Sequence, residues 1–546
     1  MRIVLLVDTF NSLTQGVYVA LRDRGIPVGV VYAITPDQMQ SEITAAAPDV
    51  ILAPYLTRYI PAAVYERWAT YVFHPGPHGD RGAYALEHAL LDAPSVWGGV
   101  WLRAGAVYDG GDIYAQGDYP VRPTRKASLY RIEATRIATR TLDALLSGWT
   151  KPHALPQLDT PLHTPILPVN HRIDWEHDTT QTILAKIALF DSQPGLSDTI
   201  LGVECLLFGG WREERLGSQS PLPPKSILAK RDGAICLRTV DGAVWISHLM
   251  EPGRFKLPAT YVLKDRLKGV REMRLPLIFD RSYATFHEVW MDERDGVAYL
   301  HFEFHNGAMS AAQCVRLKYA FEYLCGEYET VVLMGGEDFF SNGIHLNILE
   351  DSRKQGEDGW ENINAMNDLI GAILYAQDTL TVAAFGRNAG AGGVFLGLAC
   401  DHVLAREGVV LNPHYRTLGL TGSEYHTWTL PRRVGDETAR TLTQTCLPIS
   451  AAHARQIGMI DAVLPDEGYR EALHAYILAH QDADFLWDKA ERIERQRDTI
   501  EAHKEAELAT MHPEFWEPTS PFHPLRRAFV QHTCPTRTPE RLRMGG

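Results

Sequence analysis

The stretch Ile3-Val4-Leu5-Leu6-Val7 is a short apolar run rich in β-branched side chains, and a second such run spans Val28 to Tyr32. Between them, residues 17–24 carry apolar side chains at helical spacing, and Gly25 ends that pattern. Two strands separated by one helix are typical of a parallel sheet. The sequence therefore predicts that the chain opens with a β-α-β unit and that its fold class is α/β.

Changes in composition divide the rest of the chain. Five prolines lie between residues 152 and 168, which predicts a linker, and a basic, proline-interrupted segment at 264–283 marks a second boundary. Strand and helix patterns return after residue 296. Residues 488–506 are highly charged with few apolar side chains, which predicts a solvent-exposed helix that packs by one narrow face. We predict an N-terminal α/β domain, a small mixed or β-rich domain, a second α/β domain and a helical C-terminal extension. Their predicted bounds are residues 1–150, 165–265, 285–480 and 481–546.

The composition excludes several classes of protein. Of the 546 residues, 45% are hydrophobic and 22% are charged, and the formal net charge is -14. This composition is typical of a globular protein, and an acidic chain is not expected to bind nucleic acid, because that binding depends on neutralising phosphates. The apolar segments are too short for a signal peptide or a membrane span, so we expect a cytoplasmic protein without a membrane partner.

The sequence also argues against a disulfide framework and a metal site. The 7 cysteines are scattered, odd in number and form no C-x-x-C pair, which fits a reducing compartment. His74 and His78 are separated by prolines and a glycine, which forbid the helix that would align two metal ligands. We therefore expect no metal.

A first polar loop, HPGPHGDRG, occupies residues 74–82 directly after an apolar segment. Loops at the carboxyl ends of parallel strands often hold functional residues. A tight surface turn explains this loop at least as well when it is taken alone. A second segment, YDGGDI at residues 108–113, changes that balance.

His74, followed after 35 positions by Asp109, resembles the folate-dependent formyltransferase superfamily. The resemblance implies a Rossmann-like domain in which His74 and Asp109 move a proton while formyl passes from 10-formyltetrahydrofolate to a nucleophile. The superfamily usually has Asn two residues before the His, where this sequence has Val72. The segment DSQPG at residues 191–195 resembles the second domain of tRNA formyltransferases.

A second pair of loops resembles the crotonase (enoyl-CoA hydratase/isomerase) family. The first is FFSNGIHL at residues 339–346, and the second is the glycine-rich turn GRNAGAGGVF at residues 386–395. The resemblance implies that the backbone N–H groups of Ile344 and Gly392 form an oxyanion hole for a thioester oxygen. A glycine-rich packing turn is the alternative for either loop alone.

The departures from that family point to another reaction. Hydratases carry two glutamates that activate water, and these positions align with Phe395 and His414. Polar residues of NPHY at 412–415 and GSEYH at 422–426 lie near the second position. We predict Glu424 and Tyr415 as a proton-transfer pair, with His414 as a third candidate. A hydrogen-bonded loop at a contact is the alternative, because burial decides how a pKa is tuned.

A formyltransferase-like half fused to a crotonase-like half, with these motifs, resembles the HypX (HoxX) family of hydrogenase maturation factors. That resemblance implies transfer of formyl from 10-formyltetrahydrofolate to coenzyme A, and then decarbonylation of formyl-CoA to CO for the iron of [NiFe]-hydrogenase. It implies small-molecule substrates and contact with the hydrogenase large subunit or its maturation machinery. Position and side-chain type predict four coenzyme A contacts, each also explicable as a capping or surface residue: Gln15, Arg131, Ser192 and Asn306.

Three other functions stay open from the sequence. One is a folate-dependent formyltransferase that acts on another acceptor, such as a tRNA, although the net charge and Val72 argue against tRNA. Another is a hydrolase of formyl-CoA or another acyl-CoA, which the missing glutamates do not exclude. The third is a scaffold without catalytic activity, which should tolerate substitution of Glu424.

Overall fold

The computed structural model describes residues 1–149, 154–163, 166, 171–217 and 220–545. Its first sheet has the strand order β2-β1-β3-β4-β5-β6, in which β1 to β4 run parallel and β5 and β6 are antiparallel. The predicted parallel opening is therefore confirmed. The strands are β1 Ile3–Val7, β2 Val28–Tyr32, β3 Val50–Ala53, β4 Ala69–His74, β5 Val96–Arg103 and β6 Ile113–Pro120.

Helices cover this first sheet, and a π-helical turn, Tyr130–Ala134, interrupts the last group of them. They are α1 Ser12–Asp23, α2 Pro36–Ala46, α3 Ala62–Tyr65, α4 Ala85–Leu91, α5 Lys126–Leu129, α6 Thr135–Arg140 and α7 Leu142–Gly148. The predicted start of the first helix at residue 17 is wrong. The side chain of Asn11 accepts a hydrogen bond from the N–H of Thr14, and this cap starts α1 five residues earlier, at Ser12.

The middle of the chain forms an antiparallel sheet with the order β7-β8-β11-β10-β9, and β12 pairs with β11. Helix α8, Thr180–Leu189, packs against β8, and the short helix α9, Ala259–Leu263, follows β12. This is the β-rich second part that the sequence predicts. The strands are β7 Leu196–Ile200, β8 Val203–Glu213, β9 Ile227–Arg231, β10 Ala234–Arg238, β11 Ala243–Met250 and β12 Leu257–Pro258.

The third part is built on a mostly parallel sheet with the order β13-β14-β16-β18-β20-β23. Two small sheets, β15-β17 and β19-β21-β22, lie beside it and carry the predicted oxyanion loops. The strands are β13 Val289–Arg294, β14 Val297–Phe302, β15 Ala308–Met309, β16 Thr330–Gly335, β17 Gly343–Ile344, β18 Leu380–Phe385, β19 Ala389–Gly390, β20 His402–Arg406, β21 Val410–Asn412, β22 Ile449–Ser450 and β23 Ala462–Leu464.

Eight helices named here belong to this third part, and its buried side chains continue into those of the middle sheet as one hydrophobic cluster. The middle and third parts are thus packed as one body. The helices are α10 Ala311–Glu327, α11 Leu346–Asp351, α12 Gln355–Leu374, α13 Gly392–Leu398, α14 His426–Val434, α15 Asp436–Thr445, α16 Ala451–Gln456 and α17 Tyr469–Ala479.

Two further helices follow the third part, α18 Ala483–Trp516 and α19 Phe522–Val530. Helix α18 buries one narrow stripe of side chains, as its charged sequence predicts: Lys489, Ile493, Ile500, Glu507, Met511 and Phe515.

The predicted helical extension does not continue to the end of the chain. After α19 the backbone returns to the first sheet, where the hydroxyl of Thr538 accepts from the N–H of Tyr32 at 2.8 Å. Leu542 is buried in the hydrophobic cluster of the first sheet. The remaining predicted domain bounds stay predictions, and the predicted linker lies partly outside the described residues.

Candidate functional site

A cavity of about 850 Å³ lies between the first sheet and the third part of the chain. Residues that follow β1, β3 and β4 line it, as expected at the carboxyl edge of a parallel sheet. His74 and Asp109 also line it, as do Asn342, Ala389 and Asn412 of the third part. One space therefore reaches from the predicted formyltransferase pair to the loops of the predicted oxyanion hole.

His74 is the last residue of β4, and its imidazole is buried. Its Nδ1 lies 3.5 Å from Oδ2 of Asp109, so the structure brings the predicted pair together. Asp109 has a left-handed backbone (φ 48°), and its Oδ2 accepts a hydrogen bond from the N–H of Gly82 at 3.0 Å. This turn aims the carboxylate at the imidazole. Val72 also lines the cavity.

Sequence reasoning missed two residues on the far side of His74 from Asp109. Nε2 of His74 contacts Oδ1 of Asp80 at 2.5 Å, and the other oxygen of Asp80 contacts Nε2 of His163. Burial opposes ionisation of Asp80, but hydrogen bonds from the two histidines outweigh it and lower the pKa of this carboxyl. Asp80 stands in the polar loop that the sequence singles out, whereas nothing in the sequence near His163 indicates this contact.

The segment at residues 154–163 places His163 by crossing the polar loop. Leu155 pairs with Ile113 at the edge of the sheet. The side chain of Gln157 accepts from the N–H of Gly79 at 3.0 Å and donates to the carbonyl of Asp109 at 3.2 Å. The segment thereby joins the polar loop that follows His74 to the turn that carries Asp109.

Three of the four predicted coenzyme A contacts line the large cavity: Gln15, Arg131 and Ser192. Arg131 donates to Asp338 at 2.7 Å and lies 3.5 Å from the side-chain oxygen of Asn306. Asn306, the fourth, lines a smaller adjoining space with Arg131 and Ser192. The structure therefore brings all four to the junction between the first sheet and the third part.

The two predicted oxyanion loops also meet. Gly343 lies so close to the second loop that a Cβ on it would stand 3.2 Å from the backbone nitrogen of Gly392. Ile344 follows in β17, and Gly392 is the first residue of α13, where backbone N–H groups have no partner within the helix. Both N–H groups that the resemblance assigns to the oxyanion hole thus belong to neighbouring backbone segments.

Glu424 stands beside this pair of loops. A Cβ on Gly392 would come within 2.5 Å of Oε1 of Glu424, and the carboxyl side chain is buried. Oε2 accepts hydrogen bonds from the N–H and the hydroxyl of Ser423, at 3.0 and 3.1 Å. Burial raises the pKa of Glu424, and Tyr415 and His426 offset this only in part.

The backbone around Glu424 is strained. Glu424 and Tyr425 both have left-handed backbone angles, with φ of 63° and 55°, which residues other than glycine rarely adopt. Asn367 of α12 supports this turn, because its side chain accepts from the N–H of Glu424 and donates to the hydroxyl of Ser423. Strain held by surrounding contacts is common where a side chain must point into a site.

Tyr415, Phe395 and His414 surround the same region. The hydroxyl of Tyr415 donates to the carbonyl of Ser423 at 3.2 Å, and its ring stacks on Phe395 with 5.4 Å between centroids. Burial lowers the pKa of His414 to about 4, and its Nδ1 is buried without a partner in the described part of the chain. Ile344, Gly392, Glu424 and Tyr415 are therefore clustered. They are not among the residues that line the large cavity, although Asn342 and Ala389 of the same two loops are.

Comparison with known proteins assigns the family. The chain is 36% identical over 556 aligned residues to the hydrogenase maturation factor HoxX of Bradyrhizobium diazoefficiens, which covers 99% of this chain and 96% of that protein. The chain belongs to the HoxX/HypX family. The crystal structure of HypX from Aquifex aeolicus in complex with tetrahydrofolic acid superimposes with a TM-score of 0.95 at 39% identity, over 100% of this chain and 98% of that one.

The two halves of this HoxX/HypX chain also match separate families. Residues 165–266 match the family described as formyl transferase, C-terminal domain, and residues 292–482 match the enoyl-CoA hydratase/isomerase family. A glyoxysomal fatty acid beta-oxidation multifunctional protein, MFP-a of Brassica napus, is 29% identical over 26% of the chain and 19% of its own length. These matches confirm the expected fusion of a formyltransferase-like and a crotonase-like fold.

Two further observations concern ions and membranes. Within the described ranges, no group of three or more His, Cys, Asp or Glu side chains has the arrangement of a metal site. None of the described helices is both long and apolar enough to cross a membrane.

Proposed function

We propose that this chain makes carbon monoxide in two steps for the maturation of a [NiFe]-hydrogenase. The first step transfers formyl from 10-formyltetrahydrofolate to the thiol of coenzyme A, and the second converts formyl-CoA to CO and coenzyme A. The observation that carries this proposal is the single cavity of about 850 Å³ that reaches from His74 and Asp109 to Asn342 and Asn412. A thioester made beside His74 has a route, without release, to Asn342 and Ala389 in the two loops of the predicted oxyanion hole.

In the first step the coenzyme A sulfur attacks the formyl carbon and the bond from that carbon to N10 of the folate breaks. The thiol loses a proton and N10 gains one, so a group that accepts and returns a proton is needed. His74 and Asp109 are suited to this exchange, because Nδ1 and Oδ2 lie 3.5 Å apart beside the cavity. The structure of the Aquifex aeolicus protein with tetrahydrofolic acid supports a folate as the donor.

In the second step the formyl C–H and C–S bonds break, and the products are CO and the coenzyme A thiol. Glu424 is the base that takes the formyl proton, and burial, which raises its pKa, makes it a stronger base once it is ionised. The N–H groups of Ile344 and Gly392 hold the thioester oxygen, and Tyr415 protonates the sulfur. The proton on Glu424 then passes to Tyr415, its hydrogen-bond partner, so both side chains return to their starting states. Water must be excluded, because hydrolysis gives formate; the buried Phe395, where hydratases have glutamate, favours a dry site.

Coenzyme A has to reach both catalytic sites, and the junction between the two halves offers contacts for it. Gln15, Arg131 and Ser192 line the cavity there, and Asn306 adjoins them. Arg131 supplies a cation for the phosphates of coenzyme A, and the amides and the hydroxyl supply hydrogen bonds. These contacts would leave the thiol end free to move along the cavity.

The test is to mix the purified protein with 10-formyltetrahydrofolate and coenzyme A and to measure CO in the headspace through the spectral shift of reduced haem. We expect CO that depends on both substrates. Asp109→Asn should abolish both formyl-CoA and CO, whereas Glu424→Gln should accumulate formyl-CoA without CO. Asp159→Asn, a change at an exposed carboxylate, is the control and should act like the unaltered protein.

Each other product identifies another function. Formate as the sole product of the intact protein would contradict the decarbonylation and favour a formyl-CoA hydrolase. Turnover of the folate without formyl-CoA would favour a formyltransferase with another acceptor. Full activity of Glu424→Gln would remove Glu424 from the mechanism.

A further inference from the structure

The imidazole of His74 is held from both sides. Nδ1 faces Asp109, and Nε2 contacts Asp80, whose second oxygen contacts His163. His74 and Asp109 line the large cavity, whereas Asp80 and His163 are not among its lining residues. Starting at the cavity, the contacts therefore run in the order Asp109, His74, Asp80 and His163.

Each nitrogen of a neutral imidazole has a different role, because one carries the proton and the other carries the lone pair. The shorter contact of His74 is made by Nε2, at 2.5 Å to Asp80, compared with 3.5 Å from Nδ1 to Asp109. A hydrogen bond from Nε2–H to an ionised Asp80 leaves Nδ1 as the basic nitrogen on the cavity side. A buried aspartate also orients the histidine of a serine protease triad, although there the aspartate accepts from Nδ1–H and Nε2 is the base.

The chain makes room for this contact. Gly76 lies against it, and a Cβ at that position would come 2.2 Å from Oδ1 of Asp80 and 2.7 Å from Nε2 of His74. His163 in turn stacks on His88; the two rings are nearly parallel, and their centroids are 4.0 Å apart. The side chains of His74 and Asp80 are each 5% exposed, so water competes little for these hydrogen bonds.

We propose that Asp80, held by His163, is a positioning residue that keeps His74 in the tautomer protonated on Nε2, so that Nδ1 exchanges protons at the cavity. This inference deepens the proposed formyl transfer and rests on it for its chemical purpose. As the C–S bond forms, the thiol proton moves to the His74–Asp109 pair. As the C–N bond breaks, the same proton moves to N10, so the pair returns to its starting state.

The tautomer is measured directly by nitrogen NMR of protein labelled with ¹⁵N-histidine. A His74→Gln variant assigns the signals of His74. We expect Nε2 to be protonated and Nδ1 to be unprotonated or to exchange a proton in the unaltered protein. Asp80→Asn should lose this preference, because an amide can donate to Nε2 as well as accept from it. A preference for the Nδ1-protonated tautomer, or unchanged signals in Asp80→Asn, would overturn the inference.

Kinetics supply the second measurement. Asp80→Asn should lower kcat for formyl-CoA formation by roughly 10²- to 10⁴-fold, the usual contribution of a positioned acid–base group, with little change in KM for either substrate. His163→Ala should lower kcat less, and His163→Gln, which keeps a donor, should restore most of it. The control is Asp159→Asn on the same segment, which pairs with Arg81 and is fully exposed.

A pH profile separates positioning from a general structural role. The titratable groups that face Asp80 are His74 and His163, with Asp109 across the ring of His74 and Tyr119 close enough to feel the charge of Asp80. We expect His163→Ala to move the acidic limb of the kcat profile to higher pH, because Asp80 loses one of the two partners that lower its pKa.

The results distinguish this inference from the proposed function. If the unaltered protein makes no formyl-CoA, the proposed function fails, while the NMR measurement still decides the tautomer. If formyl-CoA forms and Asp80→Asn retains both kcat and the tautomer of His74, the proposed function stands and the role of Asp80 is refuted. Circular dichroism and the urea midpoint of each variant show whether it is folded.

Discussion

The side-chain amide of Asn412 donates a hydrogen bond to Oε1 of Gln15, and this contact of 2.9 Å joins residues that lie 397 positions apart in the chain. Gln15 belongs to the helix after the first strand, and Asn412 ends a strand of the crotonase-like part. Both side chains also line the cavity that the two parts share. The bond therefore joins the two parts of the chain that form the walls of the cavity.

We expect Gln15→Ala and Asn412→Ala each to lower the free energy of unfolding by about 0.5–1.5 kcal/mol, the usual contribution of one hydrogen bond. Because they remove the same bond, the double variant should cost less than the sum of the two changes. Urea unfolding of the four proteins measures this. Gln377→Ala, which loses an exposed bond to Glu494, is the control and should cost under about 0.5 kcal/mol. If the two changes in the free energy of unfolding simply added in the double variant, Gln15 and Asn412 would not be bonded to each other.

Gly392 has no room for a side chain. A Cβ would lie 2.5 Å from Oε1 of Glu424, so Gly392→Ala should displace the carboxylate and distort the backbone N–H. We expect CO formation from formyl-CoA to fall roughly 10²- to 10³-fold, as on loss of an oxyanion-hole donor, while formyl-CoA is still made.

The matched change is Gly326→Ala, because Gly326 lies near the end of α10 with nothing within 4 Å of the added atom. This variant should keep full activity and gain up to about 1 kcal/mol of stability, since alanine is the better helix former. Equal CO yields from the two glycine variants would refute the assignment of Gly392.

The raised pKa of Glu424 predicts how stability depends on pH. Because burial favours the protonated form, the folded state binds this proton more tightly than the unfolded chain does. The contribution of Glu424 to the free energy of unfolding is therefore largest below the ordinary glutamate pKa. It is lost as the pH rises through the raised value.

Glu424→Gln removes this titration. We expect the variant to be more stable than the unaltered protein above that pH range and similar to it below. Urea unfolding at a series of pH values checks the sign, with Glu407→Gln, at an exposed position, as the control. If Glu424→Gln were less stable than the unaltered protein at the highest pH values, the pKa of Glu424 would not be raised by burial in the folded state.

The C-terminal segment should contribute to the stability of the first sheet. Leu542 is 1% exposed within the hydrophobic cluster of that sheet, so Leu542→Ala should cost about 2–5 kcal/mol through lost burial and the cavity that remains. Leu525→Ala, at a position 39% exposed, should cost less than about 1 kcal/mol. Thermal unfolding compares the two, and a similar loss from both would show that the segment does not support the sheet.

Much of the fold follows from local pattern. The apolar runs at residues 3–7 and 28–32 are strands in the structure, and the charged tail is a helix with one buried stripe. The apolar pattern did not predict where α1 starts, because a single side chain, Asn11, caps the helix before the apolar positions begin. The return of residues 531–545 to the first sheet has no periodic signal at all.

The candidate site divides in the same way. The sequence by itself determined the two glycine-rich loops, the pairing of His74 with Asp109 through their family resemblance, and Glu424 as a candidate, because residue types and short spacings are visible along a chain. Only the tertiary structure decided that Asp80 and His163 hold the far side of His74, that Glu424 is buried beside Gly392, and that one cavity connects the two halves. Distances between remote segments and the desolvation of a carboxyl arise only when the chain packs, so no local pattern encodes them.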